Sequence, residues 1–300
     1  MKIGLALGSG GLRGVAHIGV ISELERAGIK PDMVAGSSAG SIIAGLYASG
    51  MTPDEIQQVA LNLRPRDFVD PIGCTALLLF APLFMLMFGL RRHLPVGILK
   101  GDRLEKLMCR LLGDRRMSDL PLPCAIVSVD ICTGEKIVFS SHPVQASRFK
   151  ETLYFDERVS EAVRASCSIP GVFVWKQWQG RKLVDGAVRE PVPARVLVES
   201  GCDFVIAVDL GYTGQADNEI KELPAIISQS LDVLGEEVSD YVLYYYADAV
   251  INPRLFNVSL TDTARIADCI EEGRRAAREA IPEIKRAIRR KRVRRFASLA

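Results

Sequence analysis

No Cys-x-x-Cys pair occurs among the seven cysteines at positions 74, 109, 124, 132, 167, 202 and 269. An odd, scattered set argues against a disulfide framework and a zinc site, and for reduced thiols in a cytosolic setting. No metal or cofactor is expected. Histidine is scarce, with only His17, His93 and His142. No Gly-Lys-Ser/Thr follows any glycine-rich loop, which excludes a Walker phosphate cradle. The N-terminal stretch "MKIGLALGSGG" reaches glycine after a handful of apolar residues. It is too short for the apolar region of a secretory signal and reads as a first strand. There is no internal repeat and no linker, and the basic C-terminus offers no aromatic platform for nucleic acid.

What is present suits one large α/β domain: 300 residues, 48% hydrophobic and 25% charged. Net charge is small, at +2, but unevenly placed. From Ile281 onward there are eight Lys/Arg against one Glu, so this stretch carries +7 and the rest of the chain −5. Attraction to anionic partners is therefore expected of the tail rather than of the domain. One apolar run stands out, "IGCTALLLFAPLFMLMFGL" at residues 72–90, with no charge and Arg91-Arg92 directly behind it. By length it is a candidate membrane span.

Apolar runs and turn residues place strands at residues 3–8 and 33–36, and within "PCAIVSVDI", "EKIVFSS", "KLVDGAV", "DFVIAVDLG" and "ADAVINPRL". Helical spacing runs from Val15 to Ala27, through "SIIAGLYASG" and "GDRLEKLMCRLLG", and through a long final segment from "DCIEEG". "TPDEIQQVALNL" opens with a Thr cap, a Pro at the first helical position and acidic residues in the first turn. Strands alternating with helices predict a mostly parallel sheet covered on both faces.

Three motifs carry chemistry. In "GSSAG" the pattern Gly-x-Ser-x-Gly has one register, Gly36 to Gly40, and it selects Ser38 over Ser37. A sharp strand-to-helix turn crowds its flanks, so Gly36 and Gly40 are needed there, and the turn lifts the serine hydroxyl to a helix N-terminus. The second motif, "GSGGLRG" at residues 8–14, also joins a strand to a helix and offers bare backbone N–H donors to a developing oxyanion. As a dinucleotide fingerprint it fails, because Arg13 stands where the third glycine belongs and no acidic residue ends the next strand. The third question is the base. Asp185 in "LVDGAV" follows a strand, but so do Asp130 and Asp209. No histidine lies downstream of Asp185 to complete a Ser, acid, His order.

Together these motifs resemble the patatin-like phospholipase family over most of residues 1–285. Gly10-Gly11-Leu12-Arg13-Gly14 is similar to its oxyanion loop, Gly36 to Gly40 to its nucleophile elbow, and Asp185-Gly186-Ala187 to its Asp-Gly-Ala motif. "RASCSIPGVF" and "PVPARVLVESGCDFVIAVDLG" extend the similarity. Two departures stand out. Ser9 replaces a glycine, so the expected donors are Gly10 and Gly11; "VREPVP" lacks an Asn common before the proline, which bears on Arg189 and Glu190.

The resemblance implies a three-layer α/β/α sandwich with a mostly parallel sheet, and a Ser38–Asp185 dyad that hydrolyses lipid or other acyl esters. Arg13 would order the loop or contact a phosphate; His17 would pack or cap one turn further along. Because Ser38 and Asp185 must share one site, residues 72–90 cannot be a lone span, and Pro82 interrupts them. They are expected as a lid or an interfacial hairpin within an insertion at 72–92, with a buried helix pair as the alternative. The domain is expected at 1–285 and a basic tail at 286–300, with membrane contact through 72–92 and the tail. The chain would be cytoplasmic or peripheral at the inner membrane face. The competing expectation is a regulatory or scaffold protein that keeps the fold without the activity.

Overall fold

Strand β1 (Ile3–Leu7) is buried along its whole length, as an unbroken apolar run in a sheet covered on both faces must be. The computed structural model that shows this describes residues 1–71, 97–142, 151–154, 156–211, 223–256, 258 and 262–297. The expected insertion at 72–92 lies outside the described residues.

Around β1 the sheet runs β5 (Glu151–Tyr154), β4 (Lys136–Ser140), β3 (Cys124–Asp130), β2 (Met33–Ser37), β1, β8 (Phe204–Val208) and β9 (Ala249–Ile251). The pairs β1–β2, β1–β8, β2–β3, β8–β9 and β4–β5 are parallel, whereas β3–β4 is an antiparallel hairpin. Two further strands, β6 (Lys176–Trp178) and β7 (Arg181–Asp185), form a second hairpin whose β7 pairs antiparallel with β3. The mostly parallel sheet expected from the sequence is present; β5 and β6 were not legible as strands.

Alternate residues of each strand feed two cores. Leu5, Leu7, Val34, Ile126, Phe139 and Ile206 face one layer. That layer holds α1 (Ala16–Arg26), α2 (Ala39–Ala48), α3 (Pro53–Leu61), α4 (Asp102–Leu112), α5 (Val159–Ser166) and the last helix. Ala6, Ala35, Val127 and Val205 face the other, with α6 (Ala194–Glu199) and α7 (Leu223–Tyr246). The period of two along each strand thus produces the three-layer α/β/α sandwich. Thr52 caps α3 in a reciprocal capping box with Glu55, as its sequence foretells.

The last helix, α8 (Ile266–Ala297), lies against α1 through a pair of glycines. A Cβ on Gly19 would strike the Ile270 carbonyl, and one on Gly273 the Ala16 carbonyl. From that crossing α8 runs beside α1, with Arg278 near Glu23 at 3.7 Å. In its last turns it passes the start of β8, where Lys291 Nζ lies 2.5 Å from Asp248 Oδ1 and over the Phe204 ring. The helix continues without a break through residue 285, so the basic stretch forms its last turns. Among the described residues no helix is long and apolar enough to cross a membrane.

Candidate active site

Register brings the two halves of the site together. β2 ends with Ser37 opposite Val127 of β3. The edge of β3 that β2 then vacates is taken by β7 from the opposite direction, ending with Asp185 opposite Ser128. Ser38 and Asp185 therefore arrive head to head at adjacent positions of one strand. Ser38 Oγ donates to Asp185 Oδ2 at 2.6 Å, and both side chains are buried. Asp185 Oδ1 accepts from the Ala187 N–H at 2.8 Å, which leaves Oδ2 aimed at the serine.

The turn at Ser38 is strained, with φ 51° and ψ −124°, a region that costs a non-glycine residue on the order of 1–3 kcal/mol. Its flanks explain the glycines. A Cβ on Gly36 would collide with the Gly40 carbonyl, and one on Gly40 with the Leu7 carbonyl. The Ser38 N–H donates to Ser166 Oγ at 2.9 Å, and the Ser38 carbonyl accepts from Ser41 N at 2.8 Å and Cys167 Sγ at 3.3 Å. Burial pushes the Cys167 thiol up to about 12, so it is a poor nucleophile beside the serine. Ser37 Oγ is buried beneath the turn.

Gly10 and Gly11 follow β1, and Gly11 takes φ 56°, where glycine is favoured. Neither N–H meets an acceptor among the described residues. The loop is held from three sides. Ser9 N donates to the Pro191 carbonyl at 2.8 Å, Gly8 N donates to the Val208 carbonyl at 3.0 Å, and His17 Nε2 lies 2.8 Å from the Gly8 carbonyl. Because that oxygen can only accept, Nε2 carries the proton. Burial lowers the His17 imidazole to about 4, against a smaller opposing pull from that hydrogen bond. The Arg13 guanidinium donates to the Gly10 and Gly211 carbonyls at 3.3 and 2.8 Å.

The competing aspartates are engaged elsewhere. Asp130 pairs with Arg181 at 3.0 Å, and Asp209 accepts the Gly211 N–H at 3.0 Å. Arg189 and Glu190 are bound to other partners. Arg189 donates to the Gly134 carbonyl at 2.5 Å, and Glu190 forms a fully buried ion pair with Lys136 of β4. Sequence reasoning missed that pair, Ser166, and the cavity. The cavity, about 160 Å³, adjoins Ser38 and is lined by apolar side chains, among them Leu12, Ile42, Leu63, Phe68, Leu107 and Phe173. The only sequence signal for Ser166 and Cys167 was "RASCSIPGVF", to which no role could be given from one chain. Among the described residues no cluster of His, Cys, Asp or Glu is grouped to hold a metal ion.

Comparison with known proteins gives the following. A family model described as patatin-like phospholipase matches residues 5–198. An uncharacterized NTE family protein of Mycobacterium tuberculosis is 32% identical over 209 residues, 70% of this chain and 49% of that protein. Patatin-like phospholipase domain-containing protein 6 of Mus musculus is 27% identical over 266 residues, 88% of this chain and 16% of its own. The chain thus spans about half the length, or less, of the curated relatives it matches. Among solved structures, VipD from Legionella pneumophila aligns with a TM-score of 0.48 at 16% identity, covering 94% of this chain and 66% of that one. Human GIVD cytosolic phospholipase A2 also scores 0.48, at 12% identity over 97% of this chain and 59% of that one.

Proposed function

The chain belongs to the patatin-like phospholipase family, and on that premise we propose that it is a serine lipid acyl hydrolase working at a membrane face with a Ser38–Asp185 dyad. The observation that carries this reading is the 2.6 Å hydrogen bond from Ser38 Oγ to Asp185 Oδ2 at the end of an apolar cavity. A fatty acyl chain buried in that cavity places its ester carbonyl beside the serine, whereas a polar acyl group would be desolvated there without partners.

In the proposed mechanism Ser38 Oγ attacks the ester carbonyl as its proton passes to Asp185 Oδ2. The Gly10 and Gly11 N–H groups hold the resulting oxyanion. Collapse breaks the ester C–O bond, and the departing alkoxide takes the proton from Asp185. Water then attacks the acyl-serine, giving its proton to Asp185, and the serine regains a proton as the free acid leaves. Asp185 returns that last proton to the serine, so one aspartate serves as base, acid, base and acid in turn and ends as the carboxylate it began as. The strained turn keeps Oγ at the helix N-terminus throughout, where negative charge is favoured. His17 has no part in proton transfer, since its protonated ring nitrogen is spent on the Gly8 carbonyl.

Ser38→Ala and Asp185→Asn are each expected to lower ester hydrolysis about 10⁴-fold or more while leaving the melting curve close to wild type. A fluorophosphonate probe is expected to label wild-type Ser38 and neither variant. Unchanged turnover in Ser38→Ala would overturn the dyad, and a wild-type protein inert to both probe and esters would return the chain to the scaffold alternative.

A further inference from the structure

We propose that the rim of the cavity beside Ser38 is a docking surface for an anionic lipid bilayer, carried by Arg64, Arg66, Lys106 and Arg110. This deepens the acyl hydrolase reading and rests on it for its purpose.

Helix α4 supplies the first observation. With successive residues about 100° apart, its surface divides into strips. Leu104, Met108 and Leu112 face the core, and Leu107 and Leu111, half-buried, line the cavity. The next strip around the helix is exposed and cationic, formed by Arg103, Lys106 and Arg110. The acids Asp102 and Glu105 lie beyond it on the far side, where Glu105 is held by Lys176 at 2.9 Å. Positive charge therefore sits directly beside the cavity leucines and negative charge is turned away.

The opposite lip repeats the arrangement in a loop. Leu63, Phe68 and Val69 line the cavity, and Arg64 and Arg66 stand exposed between them. The Arg103 guanidinium donates to the Arg66 and Val69 carbonyls at 3.0 and 2.8 Å, tying loop and helix into one rim. Nearby acids are engaged with backbone: Asp67 accepts the Arg64 N–H at 2.9 Å, and buried Asp70 accepts those of Gly101 and Arg103. Among the described residues, Arg64, Arg66, Lys106 and Arg110 form no ion pair with a carboxylate. Leu61, 44% exposed, adds an apolar contact at the same lip.

Cations around an apolar opening match a surface with anionic headgroups above hydrocarbon, and an acidic protein supplies only the first of these. The other basic surface is placed differently. Lys285, Arg289 and Arg292 lie on the last turns of α8, at the starting ends of the strands, whereas Ser38 lies at their finishing ends.

The test reads binding rather than turnover. In a Ser38→Ala background, flotation compares phosphatidylcholine vesicles with and without phosphatidylglycerol. Each basic residue close to an anionic surface contributes about fivefold in affinity at low salt. The Arg64→Gln/Arg66→Gln/Lys106→Gln/Arg110→Gln protein is therefore expected to lose tenfold or more on phosphatidylglycerol vesicles. The two pairwise variants are expected to lose intermediate amounts, which secures the result if the quadruple variant folds poorly. Lys285→Gln/Arg289→Gln/Arg292→Gln is expected to bind like the parent. Undiminished binding by folded rim variants, loss carried by the α8 variant, or indifference of the parent to phosphatidylglycerol would each overturn the proposal. Retention on polyglutamate without vesicle binding would assign the rim to an acidic protein instead. Because Ser38 is absent throughout, none of these outcomes depends on the hydrolase reading, which the fluorophosphonate label tests separately.

Discussion

At the scale of single residues, the site owes its shape to polar groups that a reader of the chain would place on the surface. Lys136 begins a strand beside a turn, where lysines are ordinarily solvated, yet it is buried against Glu190. That pair anchors the segment that leads from Asp185 to the Pro191 carbonyl, and so to Ser9 of the glycine loop. Lys136→Met leaves the buried Glu190 carboxylate to the more distant Arg195, 3.8 Å away, and is expected to cost up to about 3–5 kcal/mol in urea denaturation. Lys136→Met combined with Glu190→Leu should recover most of it, since removing both charges removes the desolvation penalty. His17 gives a second measurable signature. The unfolded chain, with its imidazole at the ordinary 6.5, takes up a proton that the folded chain, with His17 near 4, refuses. Its contribution is complete above pH 6.5 and is lost as pH falls toward 4, a change on the order of 3 kcal/mol. His17→Gln should flatten that part of the stability profile measured between pH 7 and 4.5.

Elements were far more legible than partners. Glycine motifs announce their geometry because only a missing side chain allows the approach of Gly36 to Gly40, or of Gly40 to Leu7. The capping box on α3 and the helical spacing of α4 were likewise written locally. The choice among Asp130, Asp185 and Asp209 was not, because it depends on which strand occupies the free edge of β3, a long-range register. The apolar cavity was invisible for the same reason: Leu63, Leu107 and Phe173 come from three separate segments. Helix α7 escaped notice because its apolar residues lie on both faces, with Leu234, Tyr241 and Tyr244 exposed. The α1–α8 crossing offers a test of how tightly elements are fitted. Gly273→Ala drives a methyl into the Ala16 carbonyl, and its expected cost is about 1–3 kcal/mol, seen as a lowered melting temperature.

For the whole molecule, the consequential feature is that β3 receives both chemical groups. Ser37 is registered on Val127 and Asp185 on Ser128, although Ser38 and Asp185 lie 147 residues apart in the chain. Their spacing is set by one peptide step of a third strand and is held by the turn after α5, where Ser166 and Cys167 bind the Ser38 backbone and the Ser168 carbonyl accepts the Asp185 N–H at 3.0 Å. A short Gly-Ser insertion after Gly113, whose surroundings are open, should leave fluorophosphonate labelling of Ser38 intact. Deleting Val127 should abolish it, because a one-residue slip turns every following side chain of β3 to the opposite face. The pair is thereby insulated from those separating segments that touch neither β3 nor this turn. Such segments can lengthen, shorten or be exchanged for others while Ser38 Oγ and Asp185 Oδ2 keep their distance. Under the proposed hydrolase reading, a scaffold of this kind can change the substrates it admits without rebuilding its chemistry.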